Sequence, residues 1–240
     1  MNKNFTFLVA LAISLTTLTA RAQPRPPTGP NIDGAMEKLF GENGNFSATT
    51  EIQTANPRGG QMDMTTKMAH TAGKTRIEMD LAAIQGANIP PQAMAQMQKM
   101  GMGHMVVLNN TSGMSYMVYP DMQAYVPLPN ASKSGPASDY KVDVTKLGDE
   151  TIDGHSCVKN KCVVTGPSGP ARESTVWNAT DLKNFPVKIE TKSGEGPSFV
   201  LLFKDVKLDK PDDSQFDLPS NFQKYDDMMS LMMSKARPSR

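Results

Sequence analysis

The sequence has few of the residues that usually build large cores and catalytic sites. Aromatic residues make up only 6% of it, with 9 Phe, 5 Tyr and 1 Trp. It contains no G-x-S-x-G, H-E-x-x-H or glycine-rich phosphate-binding motif. Its three histidines, His70, His104 and His155, are scattered along the chain, and we interpret them as surface residues at strand ends. We therefore predict no catalytic residue, no enzymatic activity and no cofactor.

An excess of charge of one sign is also missing. The chain has 25 Lys and Arg beside 24 Asp and Glu. Without Lys3 and Arg21, which lie in the N-terminal segment, 23 basic residues remain beside 24 acidic ones. Nucleic acids and anionic membrane surfaces are bound through clustered positive charge. The balance therefore gives no electrostatic reason to expect either as a partner.

Long hydrophobic runs are limited to the N-terminus. The apolar run covers residues 5–18, whereas a membrane-spanning helix needs about 20 residues. Lys3 precedes the run, and Ala20-Arg21-Ala22 follows it as a small-x-small cleavage pattern. We predict a signal peptide over residues 1–22, cleaved after Ala22, and hence a periplasmic or secreted protein without a transmembrane segment in the mature chain. The Pro-rich residues 23–31 are predicted to be a linker, followed by a single domain over residues 32–236.

Only two cysteines are present, in the stretch HSCVKNKCVV. A two-residue turn at Lys159-Asn160 would place Cys157 opposite Cys162 in a hairpin, with their Cα atoms about 4.5 Å apart. Secreted proteins form disulfides in oxidising compartments. A thioredoxin-type pair has two residues between its cysteines, and a zinc site needs more than two thiols. The sequence therefore predicts a structural disulfide between Cys157 and Cys162.

Alternation of apolar and polar residues dominates the middle of the chain. Methionines alternate with polar residues in QMDMTTKMAH (residues 61–70), and TRIEMDL (residues 75–81) continues the pattern after Ala72-Gly73. This predicts a hairpin with one buried face. Further strands are predicted over residues 46–54, 104–109, 115–119, 123–128, 142–147, 155–165, 172–177, 187–191 and 199–208. So many short strands predict an α+β fold with one curved antiparallel sheet.

Three segments are candidates to cover the concave face of this sheet. Residues 32–41 are predicted to form a short helix that ends at Gly41. A Met-rich insertion at residues 84–105 contains a segment that starts at Pro90-Pro91. A C-terminal helix is predicted at about residues 221–236, where apolar residues follow helical spacing.

Four segments together resemble a known superfamily. They are GDETIDGHSC (residues 148–157), YMVYPDMQAY (116–125), VWNATDLKNFPVKIE (176–190) and FDLPSNF (216–222). Their order along residues 46–222 resembles secreted relatives of the outer-membrane lipoprotein carrier (LolA/LolB-like) superfamily, in particular an uncharacterised bacterial family within it. The resemblance implies an unclosed antiparallel β-barrel wrapped around helices. It also implies that the protein carries or senses an acyl chain or a lipidated protein.

Methionine is the residue that the chain has in excess, with 18 in total. The stretch MAQMQKMGMGHM (residues 94–105) is one cluster, and residues 61–79 and 228–233 are also methionine-rich. Thioethers suit soft metals such as Cu(I) or Ag(I), so one interpretation is a metal site formed by Met97, Met100, Met102, His104 and Met105. Methionine also suits adaptable apolar surfaces, and its spread over the chain favours a core or a lid over an apolar ligand.

The leading functional prediction is a non-enzymatic, carrier-like binding protein for an acyl chain, lipid or other apolar ligand. Its expected partner is a lipid or a lipidated protein, and we expect a monomer. The residues predicted to line the ligand site are Met62, Met64, Met68, Ile77, Met79, Met94 and Met97. Two alternatives remain open. One is soft-metal binding, and the other is a structural or interaction protein whose cavity is filled by its own helices.

Overall fold

Strands form most of the molecule. The structure, a computed structural model, describes residues 33–55, 61–71, 73–86, 90–109, 114–128, 136–167, 170–191 and 198–236. Within them lie three α-helices, α1 (Gly34–Leu39), α2 (Pro91–Lys99) and α3 (Met228–Ala236). Twelve strands are also present: β1 (Asn45–Ala55), β2 (Gln61–Thr71), β3 (Lys74–Gln85), β4 (His104–Asn109), β5 (Ser115–Tyr119), β6 (Ala124–Pro127), β7 (Lys141–Ile152), β8 (His155–Thr165), β9 (Arg172–Ala179), β10 (Phe185–Thr191), β11 (Ser198–Lys207) and β12 (Gln223–Lys224). The predicted signal peptide and Pro-rich linker lie outside the described residues.

All of these strands belong to one sheet, in the order β12-β6-β5-β4-β3-β2-β1-β11-β10-β9-β8-β7. The described neighbours pair antiparallel, except that β12 runs parallel to β6. Among the described residues, the two edge strands β12 and β7 do not pair with each other, so the sheet is unclosed. The predicted α+β fold with a large unclosed antiparallel sheet is therefore confirmed.

The hairpin between β7 and β8 turns at an Asp-Gly pair. Asp153 has φ 49° and Gly154 has φ 85°, and positive φ at both central positions is characteristic of a type I′ turn. Ile152 accordingly pairs with His155. From this turn the chain runs through β8 without a second reversal, between β7 on one side and β9 on the other.

The predicted cysteine hairpin and its disulfide are wrong. Cys157 and Cys162 lie on the same strand, β8, and both are free thiols. Five residues of extended chain separate their Cα atoms by about 16 Å, whereas disulfides bridge Cα atoms less than about 7 Å apart. The spacing allowed a hairpin, but the residues at 159–160 lack the positive φ that its turn needs, and Asp153-Gly154 provides it instead.

Two free thiols are therefore expected per chain. When the protein is denatured without reductant, titration with a chromogenic thiol reagent should count both of them. In the native protein the reaction should be slow, because burial raises the pKa of both the Cys157 and the Cys162 thiols. A count of zero thiols in the denatured monomer, with full recovery after reduction, would show an intrachain disulfide and contradict the structure.

The main core occupies one face of the sheet, which we call the inner face. Its side chains form rows across neighbouring strands from β11 through β1 to β4, because paired residues of neighbouring strands point to the same side. One row runs Ala48, Met68, Ile77 and Val107. The next runs Phe203, Thr50, Thr66, Met79 and Met105, and a third runs Leu201, Ile52, Met64 and Ile84. The predicted burial of one face of the β2–β3 hairpin is thus observed.

The C-terminal helix is shorter than the predicted segment 221–236. Gln223 and Lys224 pair with Ala124 and Tyr125 of β6 instead of joining the helix. The helix begins at Met228 because Asp227 caps it: its carboxylate accepts a hydrogen bond of 2.7 Å from the Ser230 N–H. Leu231 is fully buried in the main core, so α3 covers the inner face.

Candidate ligand-binding face

Aromatic side chains close one end of the inner face beside α1. Asp33 caps this helix by accepting a hydrogen bond from the Met36 N–H, and the helix is followed by Phe40. The Phe40 ring contacts the rings of Phe46, Phe185 and Phe203, with centroids 4.8 to 5.7 Å apart. Four rings, from the residue after α1 and from β1, β10 and β11, therefore meet at one point and form an aromatic cluster.

A buried histidine links α1 to this end of the sheet. His70 is almost fully buried, and its Nδ1 lies 3.0 Å from the Thr75 hydroxyl. Its Nε2 lies 3.7 Å from a Glu37 carboxylate oxygen on α1, an ion-pair distance that is too long for a strong hydrogen bond. Interaction with His70 lowers the pKa of Glu37, and burial of the carboxyl opposes this shift. The predicted surface position of His70 is therefore wrong.

Removal of the Glu37 carboxylate should destabilise the protein at neutral pH but not in acid. Because its folded-state pKa lies below the ordinary value of 4.5, ionised Glu37 stabilises the fold above that pH, and this contribution is lost as the pH falls through the folded-state pKa. Glu37→Gln should therefore lower Tm at pH 7, and the gap to wild type should close below about pH 4.5. Exposed Glu42, changed to Gln, serves as the control. A gap that is independent of pH would contradict the assignment.

Helix α2 contacts the main core only near its C-terminal end. None of its residues is buried, and the half-buried side chains that pack against the main core are Met97 of the helix and Met100, the residue that follows it. Pro90 precedes the helix, and Gly101 ends it with φ 79°. At Gly101 a Cβ atom would come within 2.8 Å of the Met122 side chain, so the chain leaves the helix in close contact with the turn after β5. The helix is a shallow cover anchored at its exit.

The structure brings together most of the residues predicted to line a ligand site. Met64, Met68, Ile77 and Met79 are buried on the inner face of β2 and β3, and Met97 packs against the same core from α2. Met62 is half-buried at the outer end of β2, opposite Thr54. Met94 is half-buried on α2 but is not among the side chains that contact the main core. The lining therefore remains a prediction, with its centre on β2 and β3.

The residues of the alternative metal site lie at the end of α2 and the start of β4, and Met97, Met100, Met102 and Met105 all belong to or pack against the main core. Met102 is buried, and its N–H donates a 2.9 Å hydrogen bond to the Met97 carbonyl. His104 and Met105 are consecutive on β4, where they pair with Asp80 and Met79 and point to opposite faces of the sheet. Among the described residues, no group of three or more His, Cys, Asp and Glu side chains is placed to hold a metal ion.

Two residues at the centre of the inner face, Thr50 and Thr66, were not predicted from the sequence. They are cross-strand partners on β1 and β2, and both are buried. Alternation was the available signal, because Thr66 lies two residues from both Met64 and Met68 and so shares their face. A threonine is common on either face of a strand, so its type gave no sign of burial.

The outer face carries a separate cleft of about 300 Å³. It lies over β1, β2, β3 and β11, and its lining includes Ser47, Lys67, Arg76, Glu78, Asp205 and Lys207. Arg76 forms an ion pair with Glu78 there. The lining therefore includes charged groups of both signs, which the rows of the inner face lack. No helix in the described part of the chain is long and apolar enough to cross a membrane.

Fold and site together define an α+β protein whose open antiparallel sheet presents an apolar, methionine-rich face beneath short helices. The chain belongs to the family described as Domain of unknown function (DUF4412), whose model matches residues 46–184, more than half of the sequence. A comparison with curated proteins finds no match.

Solved structures provide similar folds at low sequence identity. An uncharacterized conserved protein from Thermus thermophilus is 13% identical with a TM-score of 0.44, over 80% of this chain and 95% of that one. A LolA superfamily protein from Nitrosomonas europaea is 15% identical with a TM-score of 0.38, over 78% and 96%. The lipoprotein LppX from Mycobacterium tuberculosis is 15% identical with a TM-score of 0.39, over 73% and 94%. A LolA superfamily protein is thus among the structures that the chain resembles.

Proposed function

We propose that this protein is a non-enzymatic binding protein that holds an acyl chain, or a similar apolar ligand, on the inner face of its sheet. The observation that carries the proposal is an apolar face rich in flexible methionines next to a helix, α2, that has no buried residue and packs against the main core through Met97. We take this helix as the cover of the face. A cover with so little buried surface costs little to displace. A ligand that replaces it can recover the apolar contact.

Methionine is suited to this exchange. Its unbranched side chain has three rotatable bonds and adapts to irregular surfaces, so the side chains of Met64, Met68 and Met79 can change rotamer without moving the strands that carry them. Each methylene of an acyl chain that leaves water contributes about 0.8 kcal/mol. A chain of ten or more methylenes therefore supplies ample free energy to displace a half-buried helix, after the cost of ordering the ligand is met.

We place this activity in the periplasm, on the basis of the predicted signal peptide, and take a lipid or a lipidated protein as the partner. Native mass spectrometry of protein isolated from that compartment without detergent tests the proposal. It should show the chain with an added mass that matches an acyl lipid, and delipidated protein should bind a fluorescent fatty-acyl probe. A bare mass together with no binding of the probe would contradict the proposal.

A matched pair of variants on α2 tests the location of binding. Met97 is half-buried against the core, whereas its neighbour Gln98 is exposed. Met97→Glu places a charge over the apolar face and should weaken binding of the probe by about tenfold or more. Gln98→Glu adds the same charge to the same helix at an exposed position, so its affinity for the probe should equal that of the wild type. Equal affinities for both variants would place the ligand elsewhere.

A further inference from the structure

Two buried hydroxyl groups stand in the middle of the apolar inner face. The Thr50 side chain is 0% exposed and that of Thr66 is 2% exposed. The residues face each other across β1 and β2. Within the described part of the chain, neither hydroxyl oxygen has a hydrogen-bond partner. Buried polar groups are rarely left in this state, so this pair needs a physical explanation.

The surroundings of the pair are apolar on every side along the sheet. The neighbours on β1 and β2 are two residues away on the same strands, and the cross-strand partners belong to β11 and β3. These six neighbours are Ala48, Ile52, Met64, Met68, Met79 and Phe203. Three of them are methionines, whose flexible side chains can give way to a ligand. An acyl chain that displaces these methionine side chains would therefore contact the two hydroxyl groups.

Among the described residues that adjoin the pair on this face of the sheet, none carries a positive charge. On β2, the nearest titratable residue that points to this same face is His70, four residues from Thr66 and therefore about 13 Å away. Its Nδ1 already contacts the Thr75 hydroxyl. An ionised carboxylate would lose its hydration here without gaining a countercharge, which is costly. A neutral carbonyl oxygen needs only hydrogen-bond donors, and two threonine hydroxyls supply them.

We propose that Thr50 and Thr66 donate hydrogen bonds to the carbonyl oxygen of a neutral acyl ester or amide, so that the site selects acyl-linked molecules over free fatty acid anions. This inference rests on the proposed function, because it requires an acyl chain on the inner face. It adds the chemical class of the linked head and the two residues that recognise it.

The experiment compares methyl dodecanoate with dodecanoate at pH 8, each competing with a fluorescent acyl probe. Wild type should bind the ester at least about tenfold more tightly than the anion. The double variant Thr50→Val/Thr66→Val should lose about tenfold in affinity for the ester, the effect of two neutral hydrogen bonds. Its affinity for the anion should stay within about twofold of wild type, because the anion does not use the hydroxyls.

Thermal unfolding of the ligand-free protein gives an independent readout. Thr50→Val/Thr66→Val removes hydroxyls that have no partner, so its Tm should rise by about 2–4 °C. Thr75→Val should instead lower Tm. The Thr75 hydroxyl contacts His70, and its loss leaves the buried ring without that contact. The control is Thr65→Val at an exposed position on the outer side of β2. Its change in Tm shows how much of the effect comes from the strand propensity of valine alone.

The outcomes separate the two proposals. If wild type binds neither dodecanoyl ligand, the proposed function fails and this inference fails with it. If wild type binds both ligands equally, or if the double variant keeps full affinity for the ester, the inference alone is overturned. A fall in Tm for Thr50→Val/Thr66→Val that matches the fall for Thr75→Val also overturns it, because the hydroxyls would then have structural partners.

Discussion

Phe46→Ala is expected to lower the free energy of unfolding by about 3–5 kcal/mol. Phe46 is 0% exposed, and its ring contacts Phe40 at 4.8 Å, Phe185 at 5.0 Å and Phe203 at 6.1 Å between centroids. Truncation leaves a cavity at the point where α1 meets three strands, and rings held by three separate elements cannot collapse into it. Since domains are stable by only about 5–15 kcal/mol, this variant should be close to unfolding at 25 °C.

The single tryptophan provides the measurement. Trp177 is buried, and its indole N–H donates a 2.9 Å hydrogen bond to Glu150, so its fluorescence reports urea unfolding without added labels. The control is Leu147→Ala, which truncates an apolar side chain that is 54% exposed on the edge strand β7 and should change stability by less than about 0.5 kcal/mol. A cost below about 1 kcal/mol for Phe46→Ala would show that the aromatic cluster is not a close-packed core.

A disulfide that fixes the exit of α2 is expected to block ligand uptake. A Cβ atom built at Gly103 would lie 3.8 Å from the Cβ of Gln98, and disulfides join Cβ atoms about 3.5–4.5 Å apart. The backbone at Gly103 lies outside the left-handed region, so a cysteine there introduces no strain of that kind. Gln98→Cys/Gly103→Cys should therefore tie the last turn of α2 to the start of β4.

The measurement is the rate at which the protein takes up a fluorescent acyl probe, with Cys157 and Cys162 changed to Ala to leave only the new pair. If α2 must move away for the ligand to enter, the oxidised form should take up the probe at least about tenfold more slowly than the reduced form. Addition of reductant should restore the rate. The single variant Gln98→Cys should not respond to reductant. Equal rates in oxidised and reduced protein would show that the ligand enters by another route.

Local alternation predicted most of the strands, because one face of the sheet is buried and period-2 patterns report that directly. The predicted cysteine hairpin was wrong because local turn chemistry places the chain reversal elsewhere. Turn chemistry at Asp153-Gly154 placed the chain reversal before β8, and strand pairing on both sides then kept Cys157 and Cys162 on one continuous strand. The spacing of two cysteines does not by itself show whether a turn lies between them.

The candidate site was predictable only in part. The inner-face positions of Met64, Met68, Ile77 and Met79 followed from sequence alternation. The aromatic cluster did not, because its members come from four elements that are distant along the chain and meet only through strand order. The significance of Thr50 and Thr66 was also hidden, since it depends on which strands are neighbours and on the lack of hydrogen-bond partners in the folded chain.

Photo-crosslinking tests the central claim most directly, because it reports where a bound acyl chain lies. A dodecanoyl ester with a diazirine at the end of its chain would be bound to the wild-type protein, irradiated and located by residue-level mass spectrometry. If the ligand lies on the inner face, label should appear on inner-face residues, above all Met64, Met68 and Met79, and should disappear when unlabelled ester competes. Label confined to outer-face residues such as Lys67, Arg76 and Lys207, or label that competitor does not displace, would contradict this claim.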